Sequence, residues 1–293
     1  MTEYIEGKLR FASGLFILAF VMSACSSDTS DHSQESTLRI SVLPDQKPAE
    51  LEKKYKPLFD YISSETGLKY RLIIPKSYQS MLEDMKNNQS DLVYFGGYMF
   101  MLAHRKNLVQ PLVMRDIDLK FSSSLIVSIK SDVVKISELH NKTLAFGSEL
   151  STSGHLMPRY FLRDKGINPE KYFLKVEYSG AHDKTAYLVR DGKVDAGILN
   201  SYILKRMISD GRLSEQDIRV IWVSPPYADY VWAISTRVKP DIASKLKKAF
   251  LQLLYSNPEH KKVLDNLSAR TFYPASLDDF NILHTIVAND HQH

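Results

Sequence analysis

From residue 37 onward, short runs with strand character take turns with helical runs, and the chain goes through this alternation twice. That pattern excludes all-helical and all-strand architectures and specifies an α/β fold. In the first unit, strands are expected at 37–43, 69–74 and 91–95, and helices at 49–66, 78–88 and from the Gly96-Gly97 turn through 106. A strand at 125–129 opens the second unit. It continues with a short helix at 136–140, strands at 144–146, 174–178, 196–199 and 218–223, and helices at 154–165, 182–191 and 201–210. Ser224-Pro225-Pro226 breaks regular structure, and a strand at 231–235 would carry the chain back to the first unit. Helices at 240–256 and 276–288, with no strand between them, would pack on the finished domain. Two α/β lobes joined by two crossings make a cleft, and ligands in such folds sit beyond the strand ends.

The run Gly147-Ser148-Glu149-Leu150-Ser151-Thr152-Ser153-Gly154 lies between an apolar strand and a helix. The first amides of a helix have no internal partner and carry partial positive charge, so hydroxyls gathered there suit a tetrahedral oxyanion. The same spacing also reads as an ordinary Ser/Thr helix cap. Three consecutive hydroxyl residues exceed what a cap uses, and Gly154 lets another group approach the backbone closely. Pro158 falls beyond the first turn of a helix capped at Ser153. Its missing N–H leaves the Gly154 carbonyl unbonded, which implies a loosened first turn.

Residues 1–24 carry Lys8 and Arg10, then an apolar run at 11–22 and the small residues Ser23 and Ala24. This reads as a secretion signal, too short for a permanent span. Met22-Ser23-Ala24-Cys25 resembles a bacterial lipobox, which makes Cys25 the lipidated N-terminus of the mature chain. Cys25 is the single cysteine, so no internal disulfide can form and stability rests on core burial, for which 44% hydrophobic residues suffice. Residues 25–36 are rich in Ser and Asp and read as a flexible tether. The net charge of +4, spread over scattered lysines and arginines, argues against a nucleic-acid surface and leaves room for a small anionic ligand.

Four segments in order carry a family resemblance: Asp91-Leu92-Val93-Tyr94-Phe95-Gly96; Ser151-Thr152-Ser153-Gly154 with Pro158; Ser179-Gly180-Ala181-His182-Asp183 followed by Val194-Asp195-Ala196; and the strand from Ile218 to Pro225, with Asp229 beyond it. Over roughly 38–276 the chain resembles the phosphate, phosphite and phosphonate-binding proteins of ABC transporters, within the type II periplasmic binding proteins. The resemblance implies a two-lobed fold, each lobe a mostly parallel sheet flanked by helices, with the ligand cleft between. The parts would be a signal at 1–24, a tether at 25–36, lobe 1 at 37–122, lobe 2 at 123–227, and a return to lobe 1 with C-terminal helices at 228–293. It further implies an extracytoplasmic, lipid-anchored, monomeric solute-binding protein without catalytic residues, metal or cofactor, whose partner is an ABC permease.

Carried over residue by residue, the ligand shell falls on Tyr78, Phe95, Ser151, Thr152, Ser153, His182 and Asp229. Asp229, as an ionised acceptor, would select a ligand that keeps a P–OH proton. Phe95 stands where many phosphonate binders have a tyrosine hydroxyl, which Tyr94 or Tyr98 could replace. Tyr202 stands where an aminoalkylphosphonate binder has a glutamate, which disfavours an amino-bearing ligand and, with Phe95, suggests aromatic walls. Two other readings compete. The closed protein could signal to a membrane sensor kinase or cyclase in place of a permease. A hydrolase could use His182, Asp183 and a serine, although the chain has no GxSxG, HExxH or Cys/His metal spacing.

Overall fold

In a computed structural model, residues 37–289 are described; the expected signal, the lipidation site Cys25 and the tether lie outside them. Two sheets organise the described chain. The first, in the order β11-β4-β10-β3-β1-β2, contains β1 (Leu38–Val42), β2 (Tyr70–Ile73), β3 (Leu92–Phe95), β4 (Val109–Arg115), β10 (Val231–Ser235) and β11 (Phe272–Pro274). The second, in the order β7-β6-β8-β5-β9, contains β5 (Ser123–Ser128), β6 (Thr143–Phe146), β7 (Lys175–Tyr178), β8 (Ala196–Asn200) and β9 (Ile218–Val223). Helices α1 (Pro48–Thr66), α2 (Tyr78–Lys86), α3 (Gly97–Arg105), α8 (Pro240–Leu251), α9 (Pro258–Asn266) and α10 (Asn281–Asn289) belong with the first sheet. With the second go α4 (Met157–Asp164), the short α5 (Pro169–Tyr172), α6 (His182–Arg190) and α7 (Ser201–Ser209).

The expected two-lobed α/β arrangement is present, but the sheets are mixed rather than mostly parallel. In lobe 1, β1 pairs parallel with β2 and β3, while β10 runs antiparallel to β3 and β4, and β11 antiparallel to β4. In lobe 2, β6 is parallel to β7 and β8, while β5 is antiparallel to β8 and β9. The crossings explain this. Strands β1, β3, β6 and β8 end at the cleft, whereas β5 and β10 begin there because the chain has just come over from the other lobe. The two crossing segments lie side by side, with the Phe121 N–H bonded to Tyr227 O at 2.7 Å and the reverse bond at 3.0 Å.

The returning strand is also the centre of the larger core. Trp232 on β10 is wholly buried and sits edge-on to Tyr55 and Phe59 of α1, with Tyr94 and Phe250 against its other sides. Helix α1 presents Leu51, Tyr55, Leu58, Phe59 and Ile62 to that core at helical spacing and stops at Gly67, whose φ of 69° gives the left-handed cap. The expected helix at 240–256 ends at Leu251, and a helix that was not expected, α9, starts at Pro258 behind the capping Asn257. A strand, β11, does lie between the C-terminal helices; it is three residues long, with only Phe272 facing inward, so no alternating pattern announces it.

Candidate functional site

The π-helical turn at Thr152–Leu156, between β6 and α4, holds the hydroxyl run. Leu156 N–H bonds Ser151 O at 2.9 Å and Met157 N–H bonds Thr152 O, each one residue wider than an α-helical bond. Pro158 then falls in the first turn of α4, where an N–H is dispensable. The carbonyls left free are both used. Gly154 O accepts Gly147 N–H at 2.9 Å, and Ser153 O accepts Ser123 Oγ at 2.7 Å. The loosened turn expected from Pro158 thus locks its own loop and ties it to the start of β5.

Ser151, Thr152 and Ser153 are each buried to within 2% exposure. Ser151 Oγ accepts Gly154 N–H at 2.9 Å, and Thr152 Oγ1 accepts Tyr98 N–H from the other lobe at 3.0 Å, so each keeps a hydrogen to donate. Ser153 Oγ is buried without a partner, as are Tyr78 Oη at the start of α2 and His182 Nε2 at the start of α6. Burial and the nearby Asp45 carboxylate push the Tyr78 phenol well above its ordinary pKa, which keeps it a donor. The space beside Gly154 brings the elements together. A point at Cβ distance from its Cα is 2.9 Å from Ser151 Oγ, 3.0 Å from His182 Cε1 and 3.1 Å from Gly147 Cα. The same point at Gly96 is 3.0 Å from Thr152 Oγ1 and 3.4 Å from Asp229 Oδ1.

His182 is a neutral donor by construction. Its Nδ1 accepts Asn200 N–H at 3.3 Å; a backbone amide can only donate, so the ring proton sits on the unpartnered Nε2. Burial lowers its pKa to about 4, against the pull of Asp45. This is the reverse of a hydrolytic relay, in which Nδ1 donates to a carboxylate. Asp183, meanwhile, spends Oδ1 on Lys184 N–H at 2.8 Å.

Asp229 supplies the opposing acceptor. Its Oδ1 takes Gly97 N–H at 3.0 Å and its Oδ2 has no partner. Burial raises its pKa to about 7, opposed by Gly97 N–H and by the hydroxyls of Thr152 and Ser153, neither of which completes a well-aligned bond to it. Its own N–H bonds Asp118 O at 2.9 Å, and Asp118 is clamped by Arg115 through bonds of 2.6 and 2.9 Å. A buried ion pair therefore fixes the crossing segment from which Asp229 projects.

Three residues that sequence reasoning missed join the lobes around His182. Tyr230 Oη donates to Asp45 Oδ2 at 2.8 Å and accepts from Asn200 Nδ2 at 3.2 Å. Asn200 N–H reaches His182, and His182 N–H returns to Asp45 O at 3.2 Å. This closed ring has Asp45 and Tyr230 in lobe 1 and Asn200 and His182 in lobe 2. Asp45 follows the end of β1 and Asn200 ends β8, positions that the strand-end rule points to; Tyr230 carries no such signal. Tyr230→Phe leaves Asp45 Oδ2 bare and is expected to weaken ligand binding about tenfold, from roughly 1–3 kcal/mol for an unsatisfied buried acceptor. Calorimetry checks this, and unchanged affinity would mean the ring adds nothing to closure.

Two further expected site residues, Phe95 and Tyr202, have other neighbours than the hydroxyl run. Phe95 is wholly buried within the lobe 1 core, one residue before Gly96. Tyr202 is half-buried with its ring 5.0 Å from Phe121, and it lines a cavity with Lys54, Arg115 and Arg206 but also Asp45, Ile117 and Tyr230, so its surroundings mix charged groups with an aromatic and apolar wall. Tyr94 Oη, considered as a replacement hydroxyl, lines that cavity too. Asp195 tethers β6 to β8 by accepting from Thr143 N–H and Oγ1 at 2.8 and 2.7 Å. Among the described residues, no three His, Cys, Asp or Glu side chains are grouped to hold a metal ion.

Two mixed α/β lobes closing over a pocket of hydroxyls, one imidazole N–H and one carboxylate define a bilobal solute-binding protein. Residues 40–280 match the family model for the ABC transporter, phosphonate, periplasmic substrate-binding protein, and the chain belongs to that family. It is 29% identical over 267 residues to the probable ABC transporter phosphite binding protein PhnD1 of Prochlorococcus marinus, covering 87% of this chain and 90% of that one. It is 24% identical to the phosphate-import protein PhnD of Mycolicibacterium smegmatis, over 85% and 83% of the two chains. The solved structure of the Prochlorococcus PhnD1 in complex with methylphosphonate superposes with a TM-score of 0.83 at 28% identity, over 88% of this chain and all of that one.

Proposed function

We propose that the protein captures a small phosphorus oxyanion bearing at least one P–OH group and presents it to an ABC permease from a lipid anchor at Cys25. The observation that carries this reading is a set of buried polar atoms without partners, the donors Ser153 Oγ, Tyr78 Oη and His182 Nε2 and the acceptor Asp229 Oδ2, in which the Asp229 carboxylate acts on the Tyr78 phenol and the Ser153 hydroxyl on Asp229. Buried polar atoms without partners are rare, and a cluster of them marks a place built for a ligand. Oxygens of the anion accept from the donors in charge-assisted bonds, while the P–OH donates to Asp229. The relatives point the same way: their names state phosphite and phosphate, and the solved structure holds methylphosphonate.

Closure follows from the same chemistry. Shut without a ligand, the protein buries the Asp229 carboxylate and several bare donors; the ligand satisfies all of them and so prefers the closed form. Calorimetry of the mature chain with phosphite, phosphate, methylphosphonate and sulfate at pH 7 tests the reading. Binding of at least one phosphorus oxyanion is the expected result, with sulfate weaker, and increasingly so as pH is raised above 7 and Asp229 gives up its own proton, because sulfate brings none for it. Equal binding of sulfate would refute the role of Asp229.

A further inference from the structure

Three helices that start at the interlobe face receive no side-chain cap from their own segment. Their cap positions are Lys47 for α1, Gly96 for α3 and Ala181 for α6. Helices α2, α7 and α9 are instead capped by their own Ser77, Asn200 and Asn257. The first amides of an uncapped helix lack partners and leave partial positive charge at its start.

In each of the three cases the acceptor comes from the opposite lobe. Thr152 Oγ1, in lobe 2, accepts the Tyr98 N–H of α3 at 3.0 Å. Asp45 O, in lobe 1, accepts the His182 N–H of α6 at 3.2 Å. At the start of α1 the partner is Asp183 of α6, 2% exposed, whose carboxylate lies beside the Lys47 N–H and the Lys47 charge. Lys47 reaches across in return, its ammonium 5.6 Å from the centre of the Tyr187 ring on α6. At Gly96 the exchange excludes a local cap. A Cβ there would stand 3.0 Å from Thr152 Oγ1, so a capping side chain on α3 itself and the hydroxyl from lobe 2 cannot share the place.

Asp183 is the member of this set that the anion pocket does not explain. Its Oδ1 accepts Lys184 N–H at 2.8 Å on its own helix. Burial raises its pKa, countered by that N–H and by Lys47. Beyond burial and Asp45, its charge helps raise the Tyr78 phenol, so it stands close enough to the pocket to repel a bound anion. A carboxylate in that place opposes capture unless it contributes to closure. Building on the reading of the protein as a two-lobed anion trap, we infer that Asp183 is a positioning residue for closure: without touching the ligand, it holds α6 of lobe 2 against the start of α1 in lobe 1. With the Thr152 hydroxyl and the Asp45 carbonyl it forms a latch of helix ends that sets how slowly a captured anion is released.

Stopped-flow kinetics and calorimetry with phosphite, phosphate and methylphosphonate at pH 7 test this on the mature chain, Asp183→Ala and Asp183→Asn, alongside thermal unfolding of each ligand-free protein. Contacts made only once the lobes have shut act on release. The alanine variant is expected to dissociate about tenfold faster, and the asparagine variant, which keeps an acceptor but no charge, about threefold faster. Association rates should be unchanged and ligand-free unfolding midpoints should stay within about 4 °C of the parent. Dissociation that is unchanged or slower would overturn the inference, because a carboxylate without a part in closure only repels the ligand. Faster release with the ligand-free midpoint lowered by more than about 4 °C in both variants would overturn it too, making Asp183 a prop of lobe 2 alone. Failure of the parent to bind any of the three anions would overturn both the latch and the reading on which it rests.

Discussion

Gly154→Ala is expected to weaken ligand binding by at least about a hundredfold while leaving the protein folded. The new methyl would stand 2.9 Å from Ser151 Oγ, 3.0 Å from His182 Cε1 and 3.1 Å from Gly147 Cα, inside contact distance in three directions. Gly147 is backbone, held by its own N–H to Gly154 O, and cannot swing aside. The strain must therefore move the imidazole or open the π-helical turn. Moving His182 withdraws Nε2 from the ligand and breaks its bond to Asn200; opening the turn displaces the hydroxyls. Two charge-assisted bonds at roughly 1.5–3 kcal/mol each give a loss of at least about 3 kcal/mol, or about a hundredfold. Calorimetry alongside thermal unfolding separates site damage from general damage. Affinity within tenfold of the parent would show that this close packing does not set the pocket.

How much of this was legible in the sequence depends on whether a feature is local. The alternation of strands and helices is local, and it gave both lobes and both crossings. The Ser151-Thr152-Ser153-Gly154 run is local too, and even Pro158 signalled a loosened turn. What it could not specify was the width of that turn, because the π-helical bonds depend on Gly147 and Ser123 taking the carbonyls that the proline leaves free. Strand β4 was hidden because Pro111 interrupts its pattern, and it falls where the register with β10 slips between Trp232 and Ala233. The antiparallel pairings of β5 and β10 follow from where each crossing lands. The ring of Asp45, His182, Asn200 and Tyr230 is relational in the same sense, since 185 residues separate Tyr230 from the carboxylate it serves. Tyr202 shows the converse. Its place in the family pattern suggested an aromatic wall, and to that its neighbours Asp45, Lys54, Arg115 and Arg206, drawn from distant segments, add charged groups that no local pattern announces.

Asp229→Asn is expected to reverse the order of affinities between low and high pH. In the closed protein the carboxylate titrates at about 7 because it is buried, well above the ordinary 3.8. The folded-state pKa is raised, so the associated stability of the closed form is fully present below pH 4 and lost as pH rises through 7. The full difference, about three units, is worth roughly 4 kcal/mol. A ligand with a P–OH restores the missing proton on Oδ2. Above the last ligand pKa neither partner brings that proton, so binding should weaken by up to about tenfold per pH unit, approaching a hundredfold between pH 7 and 9. In the amide variant no carboxylate repels the dianion, and the fall over the same interval should be about fivefold or less; at pH 6 the variant should bind about 10- to 100-fold more weakly, having lost a charge-assisted bond. The two curves then cross. His182, lowered to about 4, stays neutral across the window, and Tyr78, raised well above its ordinary value, keeps its proton. Lys54 does titrate there, at about 7, so the comparison is made with Lys54→Met in both proteins. Parallel curves in that background would mean that the proton selecting the ligand is not held between the ligand and Asp229.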